Sequence, residues 1–306
     1  LKYRFIKLHN NFAFNAYFYP QNLTNKYQAM ANQLLKGKKG IIFGALDERS
    51  IAWKVAEFAV AEGAEIVLTN APIALRMGKI NELAVTCNNA PVIAADATSM
   101  TDLNHLIEQS VTHFGSKIDF ILHSIGMSPN VRKNIPYDNT NYDNFLKTLD
   151  ISALSFHKVL QAAKQQDAIN EWGSVVALSY IAAQRTFPGY NDMADAKSVL
   201  ESIARSFGYQ YGFAKKVRVN TISQSPTVTT AGSGVSGFNA FIDYAEKMSP
   251  LGNASAADCA NYVISLFSDY TRMVTMQNLF HDGGFSSTGV SSMIIEDMNK
   301  LHETNQ

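Results

Sequence analysis

Between Lys39 and Phe280, short apolar segments alternate with longer amphipathic ones, and that alternation leaves few folds open. The candidate strands are GIIFG (40–44), EIVLT (65–69), PVIAA (91–95), DFILHS (119–124), SVVALS (174–179), RVNTIS (218–223) and TMQNLF (275–280). Most are nearly continuous in apolar residues, the pattern of a strand buried on both faces. After the first, SIAWKVAEFAVAEGA sets Ile51, Ala52, Val55, Phe58 and Ala59 on one helical stripe. Ser50 stands where an N-cap belongs, and Gly63 where a C′ residue belongs. Doubly buried strands, each followed by a crossover helix, predict an α/β fold: a doubly wound parallel sheet of about seven strands with helices on both faces. No Pro/Gly/Ser-rich linker divides residues 37–287, so they read as one domain.

Residues 1–29 break the pattern. They contain no Asp or Glu, are rich in Asn and aromatics, and show neither helical nor alternating periodicity. Met30 then opens MANQLLKGKKGIIFG, which reads as the start of the compact domain, residues 30–306. The leading expectation for 1–29 is a disordered or non-native extension. A targeting segment is the alternative, against which the scarcity of Arg and Ser speaks. Over the whole chain of 306 residues, 26 acidic side chains balance 26 basic ones, which argues against a polyanion-binding protein. No apolar run approaches the roughly 18 residues of a membrane helix. Two cysteines, Cys87 and Cys259, lie far apart without metal-ligand spacing, so a reducing cytoplasm is expected.

A doubly wound sheet binds ligands beyond the carboxyl ends of its strands. The first end, GIIFGALDERSIA, offers Gly44 for a tight turn and the amides of Ser50 and Ile51 at a helix start, a cradle for pyrophosphate. It lacks full GxGxxG spacing, and a plain strand–turn–helix connection is an equal alternative. Asp47 and Glu48 would oppose a phosphate and are expected to face solvent. The second end, LTNAPIALRM, has neither a ribose-binding carboxylate nor a well-placed Arg: Asn70 and Ala71 are neutral and Arg76 lies on the next helix. NADH and NADPH therefore both stay open. The third end holds Asp96 and Ala97; Asp96 could accept an adenine amino hydrogen or cap the next helix. The fourth, HSIGMSPN, brings Ser124, Ile125 and Gly126, whose backbone can approach a flat ring or ribose. His123 and His281 are expected to be structural.

After the fifth strand, GYNDMADAKSVLE carries Tyr190 and Lys197 seven residues apart, about two helical turns, which puts both on one helix face. A phenol beside an ammonium is a ready proton donor, because the positive charge favours phenolate. Taken alone, such a pair is more often a solvated helical stripe than a catalytic one.

Together GALDERSIA, the DAT turn at Asp96, HSIG, LDISALSF, SYIAAQRTFPGYNDMADAK, VRVNTIS and HDGGFS resemble the short-chain dehydrogenase/reductase superfamily. Within it they resemble the divergent enoyl-acyl carrier protein reductases of bacterial fatty-acid synthesis. The resemblance covers roughly residues 37–287 and implies a Rossmann-like fold. Most superfamily members place the catalytic Tyr four residues before the Lys; here that residue is Met193, which cannot donate a proton. The Tyr lies one turn further back, at Tyr190, as in the enoyl reductases, and a second, Tyr180, follows the fifth strand.

The resemblance implies hydride transfer from NADH, with NADPH not excluded, to the β-carbon of a trans-2-enoyl thioester. Tyr190 would donate to the developing enolate oxygen, Lys197 would bind the nicotinamide ribose, and Tyr180 would sit near the thioester. Met193 would form an apolar wall for the acyl chain. The cofactor would lie against Gly44, Ser50, Ile51, Asp96, Ala97, Ser124, Ile125, Gly126 and Lys197, and against Pro226, Thr227, Val228, Thr229 and Ala231 of a lid at about 225–249. That lid is rich in Ser, Thr and Gly before it turns helical, a composition suited to a closing segment. Ser225 and Val228 depart from the family, which often has Gly and Arg there. LDISALSF offers no Asn for the proton relay of carbonyl-reducing relatives, which suits an enolate.

Acyl carrier protein is the implied acyl donor and a homotetramer the implied assembly, with no nucleic acid and no membrane. Apolar residues Phe145, Leu149, Leu154 and Phe156, and Val199, Ile203 and Phe207, exceed what one sheet-facing stripe needs on each helix. A carbonyl-reducing relative and a non-catalytic NAD(P)-binding regulator remain the alternatives.

Overall fold

In the computed structural model, residues 32–227 and 238–304 are described. Seven strands form one sheet in the order β3-β2-β1-β4-β5-β6-β7, every neighbouring pair parallel. They are β1 (Lys39–Phe43), β2 (Glu65–Asn70), β3 (Val92–Ala94), β4 (Ile118–His123), β5 (Ile169–Ser179), β6 (Arg218–Gln224) and β7 (Asn278–His281). The helices are α1 (Ile51–Ala61), α2 (Pro72–Met77), α3 (Ile80–Thr86), α4 (Met100–Phe114), α5 (Pro129–Arg132), α6 (Tyr142–Leu149), α7 (Ser155–Gln165), α8 (Asn191–Lys215), α9 (Phe238–Met248), α10 (Ala256–Phe267) and α11 (Ser292–Thr304).

Strand residues divide between two apolar layers, as doubly buried strands must. Ile41, Phe43, Ile121, Val175 and Val219 pack beneath α4, α7 and α8, against Leu103, Phe156 and Leu200. Ile42, Leu68, Phe120, Val176 and Ile222 pack beneath α1 and α10, against Val55, Val263 and Phe267. Phe120 and Phe267 stack with centroids 4.5 Å apart. Each such side chain contributes about 1.5–3 kcal/mol on burial. The last turn of α1 closes as its Gly predicts: Gly63 (φ 90) donates to Val60 O and Ala64 to Ala59 O, both at 3.0 Å, a Schellman pair.

Two strands differ from the sequence reading. β5 starts at Ile169, five residues early, because Ile169 pairs with Ile118 ahead of a register shift. Polar Asn170 is held by its side chain, Nδ2 donating to Lys117 O and to Asp119 Oδ1. β7 starts only at Asn278: Met276 is left-handed (φ 62) and turns its amide to Val219 O, bracing β6 outside the regular ladder. Residues 1–31, which hold the expected extension and Met30, lie outside the described residues, as do 228–237 of the expected lid. No helix among the described residues is long and apolar enough to cross a membrane.

Candidate active site

β1 leads to α1 on one face of the sheet, and β4 leads by way of α5 and α6 to α7 on the other. The strand order reverses between them, so their carboxyl ends open a crevice. Gly44 closes β1 in a left-handed turn (φ 94), where an added Cβ would lie 2.0 Å from Ser124 O at the end of β4. No other residue type fits there, and Gly44 and Ser124 are thereby locked together. Gly126 serves differently: a Cβ there would meet only Lys197 Nζ and Met193 Cε, each at 3.8 Å. Its missing side chain leaves a hollow between the loop after β4 and the first turns of α8.

The loop after β1 corrects the pyrophosphate reading at one atom. The Ser50 amide is not free; it donates to Asp47 O at 2.9 Å. The Ser50 hydroxyl also folds back, donating to Asp47 O at 2.7 Å and accepting from Leu46 N. Ser50 thus shapes the loop, and the Ile51 amide heads the helix. Glu48 faces solvent beside Lys79 as expected, but Asp47 is mostly covered, its Oδ1 accepting from Arg49 N. Asn70 braces the same loop by donating to Ala45 O. Asp96 does not cap α4, a role that falls to Ser99; its Oδ1 takes both donors of Thr98. Ala97 is buried beside it and Ile125 packs against the core.

At the substrate side the rings converge. Tyr180, after β5, has its ring centroid 5.1 Å from Tyr190, 5.4 Å from Phe187 and 6.4 Å from Phe241 of α9. Phe187 in turn meets Phe241 edge-on at 5.3 Å. The Tyr180 hydroxyl is buried and has no hydrogen-bond partner among the described residues. Lys197 is buried in α8 and donates to Leu178 O at 2.7 Å. Four residues on, buried Glu201 accepts from Ser179 Oγ and Gln184 Nε2.

Tyr190 is not two regular turns before Lys197. It precedes α8, between left-handed Gly189 (φ 80) and left-handed Asn191 (φ 44), so its direction is set by irregular backbone. The expected electrostatics also reverse. Burial holds the Tyr190 phenol above its ordinary pKa, and burial, then Tyr190 and Asp282, does the same to Tyr180. Lys197 is pushed down to about 8 by burial, against the pull of Glu201. Burial disfavours the charged form of each group, phenolate and ammonium alike.

His123 and His281 are structural, as expected. His123 is fully buried with Nε2 2.8 Å from Ser155 Oγ, and burial lowers it to about 3, leaving it neutral. His281 lies against Gln224 Oε1 and stacks on Tyr262. Pro226 and Thr227 close the β6 end, with Thr227 Oγ1 donating to Ser225 O and lying 3.3 Å from Ala254 O. Ser225, in place of the family's Gly, is buried and accepts from Ala254 N. Val228, Thr229 and Ala231 lie outside the described residues.

Three residues escaped the sequence reading. Ser152 lies in a π-helical turn (Asp150–Leu154) and bonds both the amide and the carbonyl of Met127. Asp192 and Glu201, acidic residues on one helix, are both buried. Only their partners, distant in sequence, reveal them.

A switch-point crevice with a tight Gly turn, a hollow at Gly126, a buried Lys and a pair of packed phenols is the arrangement of a nucleotide-dependent oxidoreductase of the doubly wound class. The family model described as Enoyl-(Acyl carrier protein) reductase matches residues 44–286. The chain is 32% identical over 263 residues to enoyl-acyl-carrier-protein reductase (NADH) 2 of Rhizobium meliloti, covering 86% of this chain and 96% of the relative. It is similar to the FabI–NADH complex from Alistipes finegoldii, at 68% identity and TM-score 0.84, over 85% of this chain and 92% of that one. The reductase from Aquifex aeolicus follows at 30% identity and TM-score 0.78, over 84% and 99%. The chain belongs to the enoyl-acyl carrier protein reductase family.

Proposed function

We propose that this chain reduces trans-2-enoyl thioesters carried on acyl carrier protein, with NADH as reductant and Tyr190, Lys197 and Tyr180 as the catalytic residues. The supporting observation is that Lys197 and Met193 bracket the hollow at Gly126, while Tyr190, whose carbonyl accepts from Met193 N, packs ring against ring with Tyr180. The hollow, the Gly44–Ser124 lock and the open Ile51 amide fit a dinucleotide. NADH, when bound, supplies the hydride.

The residues of the chain do the rest. As the β-carbon is reduced, negative charge grows on the thioester oxygen. A preorganised donor in a dry site stabilises that charge most effectively. Tyr190 donates to it; a phenol held neutral by burial stays a donor until charge appears. Lys197 exchanges Leu178 O for the ribose hydroxyls and keeps the local potential positive. Tyr180 offers its free hydroxyl to the thioester, and Met193 walls the acyl chain. Pro226 and Thr227, at the end of β6, would help to hold the cofactor, as would Thr229 and Ala231, which lie outside the described residues. The absence of a relay Asn accords with an enolate that needs no alkoxide protonation. Exposed apolar side chains on α6 to α8 support a homotetramer (Leu146, Leu154 and Val199).

The test is oxidation of NADH, and of NADPH in parallel, with crotonyl-CoA or a longer trans-2-enoyl thioester. Turnover of a ketone but of no enoyl thioester would sink the proposal. Tyr190→Phe is expected to lower kcat by roughly 10²–10⁴ with little change in cofactor binding. Lys197→Ala should weaken cofactor binding as well. Wild-type rates in both variants would remove these residues from the site.

A further inference from the structure

The first turn of α8 holds a carboxylate with no exposed surface. Asp192 is 0% exposed, and among the described residues no Lys or Arg forms an ion pair with it. Three neutral donors satisfy it: Ser128 Oγ to Oδ1 at 2.6 Å, Asn130 Nδ2 to Oδ2 at 2.9 Å and Thr148 Oγ1 to Oδ2 at 2.8 Å. A buried charge is costly unless so bonded, and a helix N-terminus further favours an anion. An apolar residue would fill the same space without that cost, so the carboxylate needs another reason to be there.

Its neighbours supply one. Ser128 is two residues beyond Gly126, on the loop that forms the cofactor hollow. Tyr190 is two residues before Asp192, and Met193 is the next residue after it. Between Tyr190 and Asp192 stands Asn191 in the left-handed conformation, which Asn enters more readily than most non-glycine residues. Asn191 is tied on the same side, Nδ2 donating to Ile135 O at 2.6 Å. The donors are themselves fixed. Ser128 caps α5 by accepting from Val131 N, and Asn130 Oδ1 accepts from Asn144 Nδ2.

We propose that Asp192 is a positioning residue: it clamps the irregular entry to α8 onto the 128–148 segment and so sets where Tyr190 and Met193 stand relative to the Gly126 loop. It touches no reacting atom and acts through Tyr190. This inference rests on Tyr190 being the donor to the developing enolate.

The experiment is a double-mutant cycle on the full chain with an enoyl thioester and NADH. Asp192→Asn keeps the shape but replaces an oxygen acceptor and the charge. In the Tyr190 enzyme it should lower kcat roughly ten- to hundredfold, the scale of a small misplacement, with the KM for NADH changed less than about twofold. In the Tyr190→Phe background the same substitution should change kcat less than about twofold. An equal loss in both backgrounds, or no loss in either, overturns the proposal, since a merely structural role lowers the active fraction whatever residue 190 is. If Asp192→Asn does not fold, Ser128→Ala removes one donor, and its smaller loss should show the same dependence on Tyr190. Should Tyr190→Phe itself keep wild-type rates, the assignment of the donor fails, and that outcome is seen before the cycle is closed.

Discussion

At neutral pH the Lys197 ammonium sits buried with the Leu178 carbonyl as its acceptor. Its pKa of about 8 lies below the 10.5 of a free lysine, so the buried charge opposes folding in full below pH 8. That opposition fades as pH rises from 8 to 10.5, where the unfolded chain binds the proton and the folded one does not. Lys197→Met should therefore raise Tm at pH 7 and raise it less at pH 10, as thermal melts would show. Function runs the other way. If the charged form holds the cofactor, NADH affinity should fall above pH 8, approaching tenfold per pH unit, while Lys197→Arg should flatten that profile. Fluorescence titration of NADH from pH 6.5 to 9.5 checks both. Lys197 was visible from the sequence through its spacing to Tyr190, but the backbone carrying that spacing was not. Two left-handed residues flank Tyr190, and nothing in GYND announces that the helix starts one residue later.

Among the elements, α9 touches Tyr180 directly. Phe241 meets Tyr180 and Phe187 edge-on, and Tyr244 reaches Phe285 beyond β7. Edge-to-face pairs contribute about 0.5–1.5 kcal/mol each. Phe241→Ala should thus raise KM for a long-chain enoyl thioester, on the order of three- to tenfold, and leave NADH binding within about twofold. Steady-state kinetics at saturating NADH would show it; an unchanged KM would take α9 out of the pocket wall. The apolar strands were legible because burial on both faces demands continuous apolar runs. The start of β5 was not, since polar Asn170 is held there by side-chain bonds to Lys117 and Asp119, some fifty positions away. Asp192 was hidden for the same reason: its partners lie 44 to 64 residues upstream, and an acid in a first helical turn reads as solvated.

For the whole molecule, the surface of α6 to α8 matters most. The stripes on these helices divide: Phe156 and Ile203 face the sheet, whereas Leu146, Leu154 and Val199 stay exposed, as do Tyr209 and Phe213 further along α8. A closed homotetramer has two-fold faces on which such a patch meets its own copy. Leu154→Lys is expected to split a tetramer into smaller species without loss of helical content, measured by light scattering and circular dichroism. A wild-type chain that scatters as a monomer would remove the patch from this role. Both thiols are buried and raised by that burial, Cys87 to about 11, so neither should react with alkylating agents while the chain is folded.

The buried hydroxyl of Tyr180, without a hydrogen-bond partner among the described residues, also bears on what the pocket rejects. A buried donor left unmade costs about 1–3 kcal/mol, and a ligand with an acceptor at that spot relieves it whereas an isostere without one leaves it in place. Discrimination then comes from the unfilled hydrogen bond more than from shape. A saturated thioether matching an enoyl thioester in length should compete on the order of ten- to hundredfold more weakly, and Tyr180→Phe should erase most of that difference by weakening the ligand that carries the acceptor.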